Sequence, residues 1–192
     1  MEEALVRLSE VIITPQILGR KSRGYSQGFD DIYQVLNGKV EGNDLSALQD
    51  ICDAALKFCF AESVALSLLG YINDEPVFNW EVAAGKAAAL VGKIYSPRDN
   101  TPCGTALEMY SYQVFRHPER HYAWVRENGF VVPEMITMPI YKEDMQSFGT
   151  FWLMHAEGKH FDKEDIRIIS MLLTLINKAL RKKAFRKALT FS

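Results

Sequence analysis

Cysteine is scarce. Three occur in 192 residues, at positions 52, 59 and 103, and no Cys-x-x-Cys pair is present. That argues against a disulfide framework and against a structural zinc site. Cys52 and Cys59 fall on an apolar helical face and read as small core hydrophobes. Long apolar runs are also missing. The stretch Met171–Ile176 is cut by Thr174, far short of the roughly 20 apolar residues a membrane span needs. The chain opens with Glu2 and Glu3, where a signal peptide wants basic residues before a clean apolar run. The expectation is a cytoplasmic chain with no membrane partner. Disorder-prone composition is absent as well. Hydrophobic residues make up 48% and charged residues 24%, which is the balance of a globular chain with a core.

The formal charge of −2 conceals an asymmetry. Lys178, Arg181, Lys182, Lys183, Arg186 and Lys187 lie near the C-terminus with no acid among them, so the rest of the chain carries −8. Cations are favoured near a helix C-terminus. A solvated helix end therefore explains them, and nucleic acid is not an expected partner.

Periodicity sets the order of elements. Leu5, Leu8 and Ile12 suggest a helix over 1–14, ended by Pro15 and Gly19. Residues 20–30 read as loop and 31–36 as a short helix, with Asn37-Gly38 as a turn. Asn43 is a suitable cap for a helix over 44–60. Two hairpins follow, 63–69 with 77–82 and 135–141 with 148–154. In the first, Phe78, Trp80 and Val82 are aligned by their spacing of two. The middle is irregular: a helical turn at 86–91, loop at 95–102, a short helix at 104–109, a strand at 112–115 and a helix over 118–127. Asp162 caps a long last helix with two apolar stripes. One stripe, Ile166, Ile169, Leu173, Ile176 and Leu180, is left to face a partner helix across a dimer seam.

This is an α+β plan with a central antiparallel sheet of five or six strands. Helices from the two chain ends cover one face, and the loop and short-helix segment covers the other. Apolar residues on both strand faces require that double cover. A sheet lidded by loops makes a natural small-molecule cavity.

Ordered strings now resemble a known module. They are Asp50-Ile-Cys-Asp-Ala-Ala-Leu56, Ser63-Val-Ala-Leu-Ser-Leu-Leu69, Phe78-Asn-Trp80 with Ala83-Ala-Gly85, and Pro97-Arg-Asp99 before Pro102-Cys-Gly104. Phe115-Arg-His-Pro-Glu-Arg120, Pro139, Gly149-Thr-Phe-Trp152 and Phe161-Asp162 complete them. From about 43 to 181 the chain resembles a GAF domain, in particular those ahead of bacterial sensor histidine kinases. The division implied is 1–42 as an N-terminal extension, 43–181 as the GAF domain and 182–192 as a basic helix end. The chain has no phosphoacceptor helix and no nucleotide-binding glycine-rich motif, so it is not expected to be a kinase. Bilin-binding members carry Cys-His, whereas Cys103 precedes Gly104. Cys103-Gly104-Thr105-Ala106 is similar to a string of the free methionine-(R)-sulfoxide reductases, an enzymatic GAF family. Their later His-Ile-Ala-Cys-Asp string is lacking, and no cysteine follows residue 103.

The candidate ligand-binding residues are Trp80, Asp99, Thr101, Cys103, Gly104, Thr105, Phe115, Glu119, Trp124, Glu134 and Met138. Cys103 stands at a helix start, where a thiol pKa can fall. Thr101 and Asp99 can cap that helix or meet a ligand. Trp124 and Phe115 come from the irregular segment and suit a pocket wall; Phe78 and Trp152 suit the core. His117 and His121 have metal-pair spacing but no third ligand. No metal, cofactor or catalytic residue is expected. The reading is a non-catalytic sensory protein that binds an unidentified small molecule over the sheet and signals through dimer helices. The expected partners are a second copy and a separate histidine kinase or other signalling protein. A ligand-free dimerising scaffold is the alternative, favoured if side chains fill the cavity; a methionine sulfoxide reductase using Cys103 is another.

Overall fold

The computed structural model describes residues 5–189, so residues 1–4 of the expected extension and 190–192 of the expected helix end lie outside it. Six strands form one sheet: β1 (Ser63–Ile72), β2 (Glu75–Gly85), β3 (Tyr95–Pro97), β4 (Gln113–Arg116), β5 (Glu134–Tyr141) and β6 (Ser147–His155). Their order is β3-β2-β1-β6-β5-β4, and every neighbour is antiparallel. The eight α-helices described are α1 (Leu8–Val11), α2 (Thr14–Ile17), α3 (Phe29–Glu41), α4 (Ala47–Phe58), α5 (Pro102–Glu108), α6 (Ala123–Glu127), α7 (Lys163–Arg181) and α8 (Lys183–Ala188), with 3-10 turns at Lys86–Leu90 and Pro118–Arg120. None is long and apolar enough to cross a membrane.

The period of two sends alternate residues to opposite faces. Val64, Leu66, Leu68, Ile136, Phe151 and Leu153 pack under α3, α4 and α7. Ala65, Phe78, Trp80, Phe115, Met135 and Trp152 form a second cluster on the other face, with Cys103 and Leu107 of α5 and Val125 of α6. The expected alignment of Val82 with Phe78 and Trp80 fails at a bulge. The register passes from Leu66↔Val82 to Ser67↔Trp80. The extra residue flips the parity. Val82 therefore packs on the helical side and Trp80 on the other.

Tertiary contacts also move helix ends. The helix expected over 1–14 is replaced by two single turns. Between them Ile13 N–H donates to Val114 O at 2.7 Å and Val114 N–H to Thr14 Oγ1 at 2.9 Å. This segment closes the open edge of β4. The 31–36 helix runs on to Glu41, through the expected Asn37-Gly38 turn, because Phe29, Leu36 and Val40 keep one face buried. The loop expected at 95–102 holds the three-residue strand β3. Ser46, not Asn43, precedes α4, and Asn43 takes a positive φ of 58°.

Asp162 caps α7 as expected. Its Oδ1 accepts from Glu164 N–H at 2.8 Å and Asp165 N–H at 3.1 Å, and Asp165 Oδ2 accepts from Asp162 N–H at 2.9 Å. The expected dimer seam is corrected. Ile169, Ile176 and Leu180 are buried within the chain, and only Ile166 and Leu173 stay half-exposed. The physical reason is the sheet: these three side chains join Leu66, Phe151 and Leu153 in the core, while α3 lies along another face of α7, where Arg167 pairs with Asp30 and Lys178 and Lys182 pair with Glu41. The last helix also breaks at Lys182, whose ψ of 132° is extended, and α8 folds back to bury Phe185.

His155 sits at the end of β6, 2% exposed, with its ring 4.0 Å from that of Phe161. Burial pushes its pKa down to about 4. The unfolded chain binds a proton near pH 6.5 and the folded one does not until lower pH, so acid favours unfolding across this window. His155 should contribute up to about 3 kcal/mol of stability above pH 6.5 that is lost as pH falls to 4. Urea unfolding at stepped pH checks this: the slope should flatten in His155→Leu, and equal slopes in the two proteins would contradict it.

Candidate functional site

Between the sheet and its α5–α6 cover, the aromatic side chains meet. Trp80 and Trp152 rings stand edge to face at 4.8 Å, and Phe130 lies 6.1 Å from Trp80 and 5.8 Å from Trp124. Thr101, Cys103, Val132, Met135 and Met154 complete the wall. The space left is about 40 Å³. Room for a water begins near 10–15 Å³ on this measure, roughly one probe sphere, whereas ligand pockets run to roughly 300–1,000 Å³. Under α5 and α6 the expected cavity is therefore largely filled by its own side chains, while a separate hollow of about 240 Å³ opens beside it, between Trp80, Phe130 and Val132 and the turn Lys86–Leu90.

α5 is built for packing. Thr101 Oγ1 accepts from Gly104 N–H at 3.2 Å, the N-cap contact. A Cβ on Gly104 would stand 2.0 Å from Arg98 O, so only glycine fits there. Thr105 and Tyr122 share a hydroxyl hydrogen bond of 2.7 Å. Cys103 is 5% exposed. Burial pushes its thiol up to about 12, against a smaller opposing effect of the Thr150 hydroxyl. The helix N-terminus does not yield a thiolate here. Cys52 and Cys59 lie in the cluster on the far side of the sheet, so neither stands beside Cys103. We predict that none of the three thiols reacts with an aromatic disulfide reagent until the protein is denatured; rapid labelling of one thiol in the native protein would contradict this.

Trp80, Thr101, Cys103 and Trp124 line the filled space. Thr105 and Phe115 back it, Phe115 being edge-on to Tyr122 at 5.8 Å. The other candidates lie elsewhere. Asp99 is exposed and pairs with Arg98 at 2.5 Å, which also holds Glu108 at 2.8 Å. Glu119 pins a loop: its Oε2 accepts from Val132 N–H at 3.2 Å and its Oε1 lies 3.0 Å from His117 Nδ1. His121 Nδ1 lies 2.7 Å from Val6 O, and no group of three potential metal ligands is present among the described residues.

Glu134 and Met138 point away from the cavity, because positions 134, 136, 138 and 140 share the helical face of β5 and 135 faces the cavity. Glu134 is fully buried. Arg20 holds both its oxygens, at 2.5 and 2.8 Å, and Phe161 N–H donates to Oε1 at 2.8 Å. Burial raises the Glu134 pKa, but these hydrogen bonds outweigh it and the carboxyl sits below its usual range. Phe130, Val132, Met135 and Met154 are wall residues that the sequence reasoning missed. The alternation through Met135 and Met154 carried a signal for two of them; Phe130 and Val132 lie in irregular chain with none.

A family model described as GAF domain matches residues 46–181. No curated protein matches the chain in sequence. Among solved structures, the chain is similar to the GAF domain of a phosphoenolpyruvate-protein phosphotransferase from Coxiella burnetii, at 14% identity and TM-score 0.66, covering 85% of this chain and 99% of that one. It is also similar to free methionine-R-sulfoxide reductase from Neisseria meningitidis, solved with its substrate, at 14% identity and TM-score 0.65, covering 88% and 96%. A third is the phycoerythrobilin-bound GAF domain of a cyanobacterial phytochrome, at 11% identity and TM-score 0.62, covering 82% and 98%. These likenesses concern the fold, which hosts many functions.

Proposed function

The chain belongs to the GAF domain family, and we propose that it is a non-catalytic regulatory domain that pairs with a second copy through its helical layer. The observation that carries this reading is the filled space over the sheet, about 40 Å³ walled by Trp80, Trp124, Phe130 and Trp152. Such a site holds its own side chains where a sensor would hold a metabolite. The output would pass to a separate histidine kinase or other signalling protein in the cytoplasm.

The outer side of the helices supports pairing. Between α3 and α4 runs a groove of about 280 Å³ with Ile32, Val35, Ala54 and Phe58 on its floor. Val35 is 57% exposed. Lys57 and Asp53 flank the same groove. A twofold interface sets each patch against its own copy, so mixed charges can meet their opposites.

The chemistry is tested with free methionine-(R)-sulfoxide and a thiol reductant. No turnover is expected, since the buried Cys103 thiol stays protonated and lacks a partner. Turnover that disappears in Cys103→Ser would overturn the non-catalytic reading.

A further inference from the structure

A cleft of about 640 Å³ lies away from the aromatic cluster, where α8, the end of α7 and the β5–β6 turn meet the end of β1. Its size is that of a metabolite site. Its floor is aliphatic, with Leu68, Ile140, Leu180 and Leu189, while cations stand among its lining residues. Among the described residues neither Lys142 nor Arg186 forms an ion pair; the Lys142 ammonium lies 5.6 Å from the Phe148 ring centre. Two acids share the lining without pairing with these two: Glu143 lies 3.5 Å from Arg181, and Asp144 Oδ1 accepts from Gln146 N–H at 3.1 Å. Lys183 and Lys187 of α8 add to the positive field nearby.

We propose that this cleft binds an amphipathic anion, with an alkyl part on the leucine and isoleucine floor and a carboxylate or phosphate head met by Lys142 and Arg186. Burial of the alkyl part supplies the driving force, and the unpaired cations select the charge. Arg186 and Leu189 come from α8 and its end, and Leu180 comes from α7. A bound anion would therefore tie α8 to the body of the domain across the break at Lys182. Binding there would stabilise the folded-back tail, by its preference for that state over an undocked one.

Calorimetric titration of the full chain with decanoate, decyl phosphate and decanol tests this. Decanoate or decyl phosphate should bind at least tenfold more tightly than decanol. The order of the two acids assigns the head group, and either order upholds the site. Lys142→Ala combined with Arg186→Ala replaces two surface side chains and should weaken binding of the acids at least tenfold, while decanol is unaffected. Equal affinity for decanol, unchanged affinity in the double variant, or no binding of either acid would overturn the proposal. None of these outcomes depends on whether the chain dimerises.

Discussion

Arg20→Ala should lower the free energy of unfolding by about 3–5 kcal/mol, because it leaves the buried Glu134 carboxylate without its cation. Arg20 reaches from the loop before α3 to the start of β5, and its guanidinium also donates to Phe161 O at 2.8 Å. Three elements distant in sequence thus meet at one group. The remaining neighbours cannot replace it. Arg116 stands 3.6 Å from Glu134 Oε2 and His160 Nδ1 3.1 Å, and both are substantially exposed. The double variant Arg20→Ala with Glu134→Met removes the stranded charge and should recover most of the loss. Urea unfolding of the three proteins checks this; a loss below about 1 kcal/mol in Arg20→Ala would show that the pair is not a structural clamp.

Trp152→Ala should cost about 3–5 kcal/mol and convert the filled space into a cavity. Trp152 is 1% exposed, donates through Nε1 to Ser67 Oγ at 2.8 Å and supports the Trp80 ring. Its removal joins the indole volume to the residual 40 Å³. The wall is apolar, so the new cavity should take an apolar guest, as engineered apolar cavities do. Indole should raise the melting temperature of Trp152→Ala and leave that of the wild type unchanged. A wild type stabilised equally by indole would show that the site over the sheet is open.

Much of this architecture was legible because the residues repeat. The two hairpins and the apolar faces of α4 and α7 are written as periods of two or 3.6, and the Asp162 cap as a residue type at a helix start. The strings around Ala83–Gly85 and Pro102–Gly104 carried the family, and the close approach at Gly104 to Arg98 O shows the steric reason for one of them. Three things were not legible. The bulge that separates Trp80 from Val82 leaves no mark in the alternation. The cover of α7 by α3 depends on a helix that runs through Gly38, against its turn-like local sequence. The side of β5 on which Glu134 lies is fixed by Arg20, 114 residues away, and no local pattern encodes such a partner. The same reason governs where the candidate site residues lie. Glu134, Met138 and Asp99 have suitable chemistry, but strand parity and local ion pairs turned them from the cavity.

The proposed domain acts through its helical surface. Sedimentation equilibrium of the full chain, with Val35→Glu and Leu173→Glu beside the wild type, tests this most directly. The wild type should weigh twice the 21.8 kDa of one chain, and Val35→Glu, with its charge in the α3–α4 groove, should shift it to the monomer at least tenfold more readily. A wild type that stays monomeric, or a dimer indifferent to both substitutions, would contradict it.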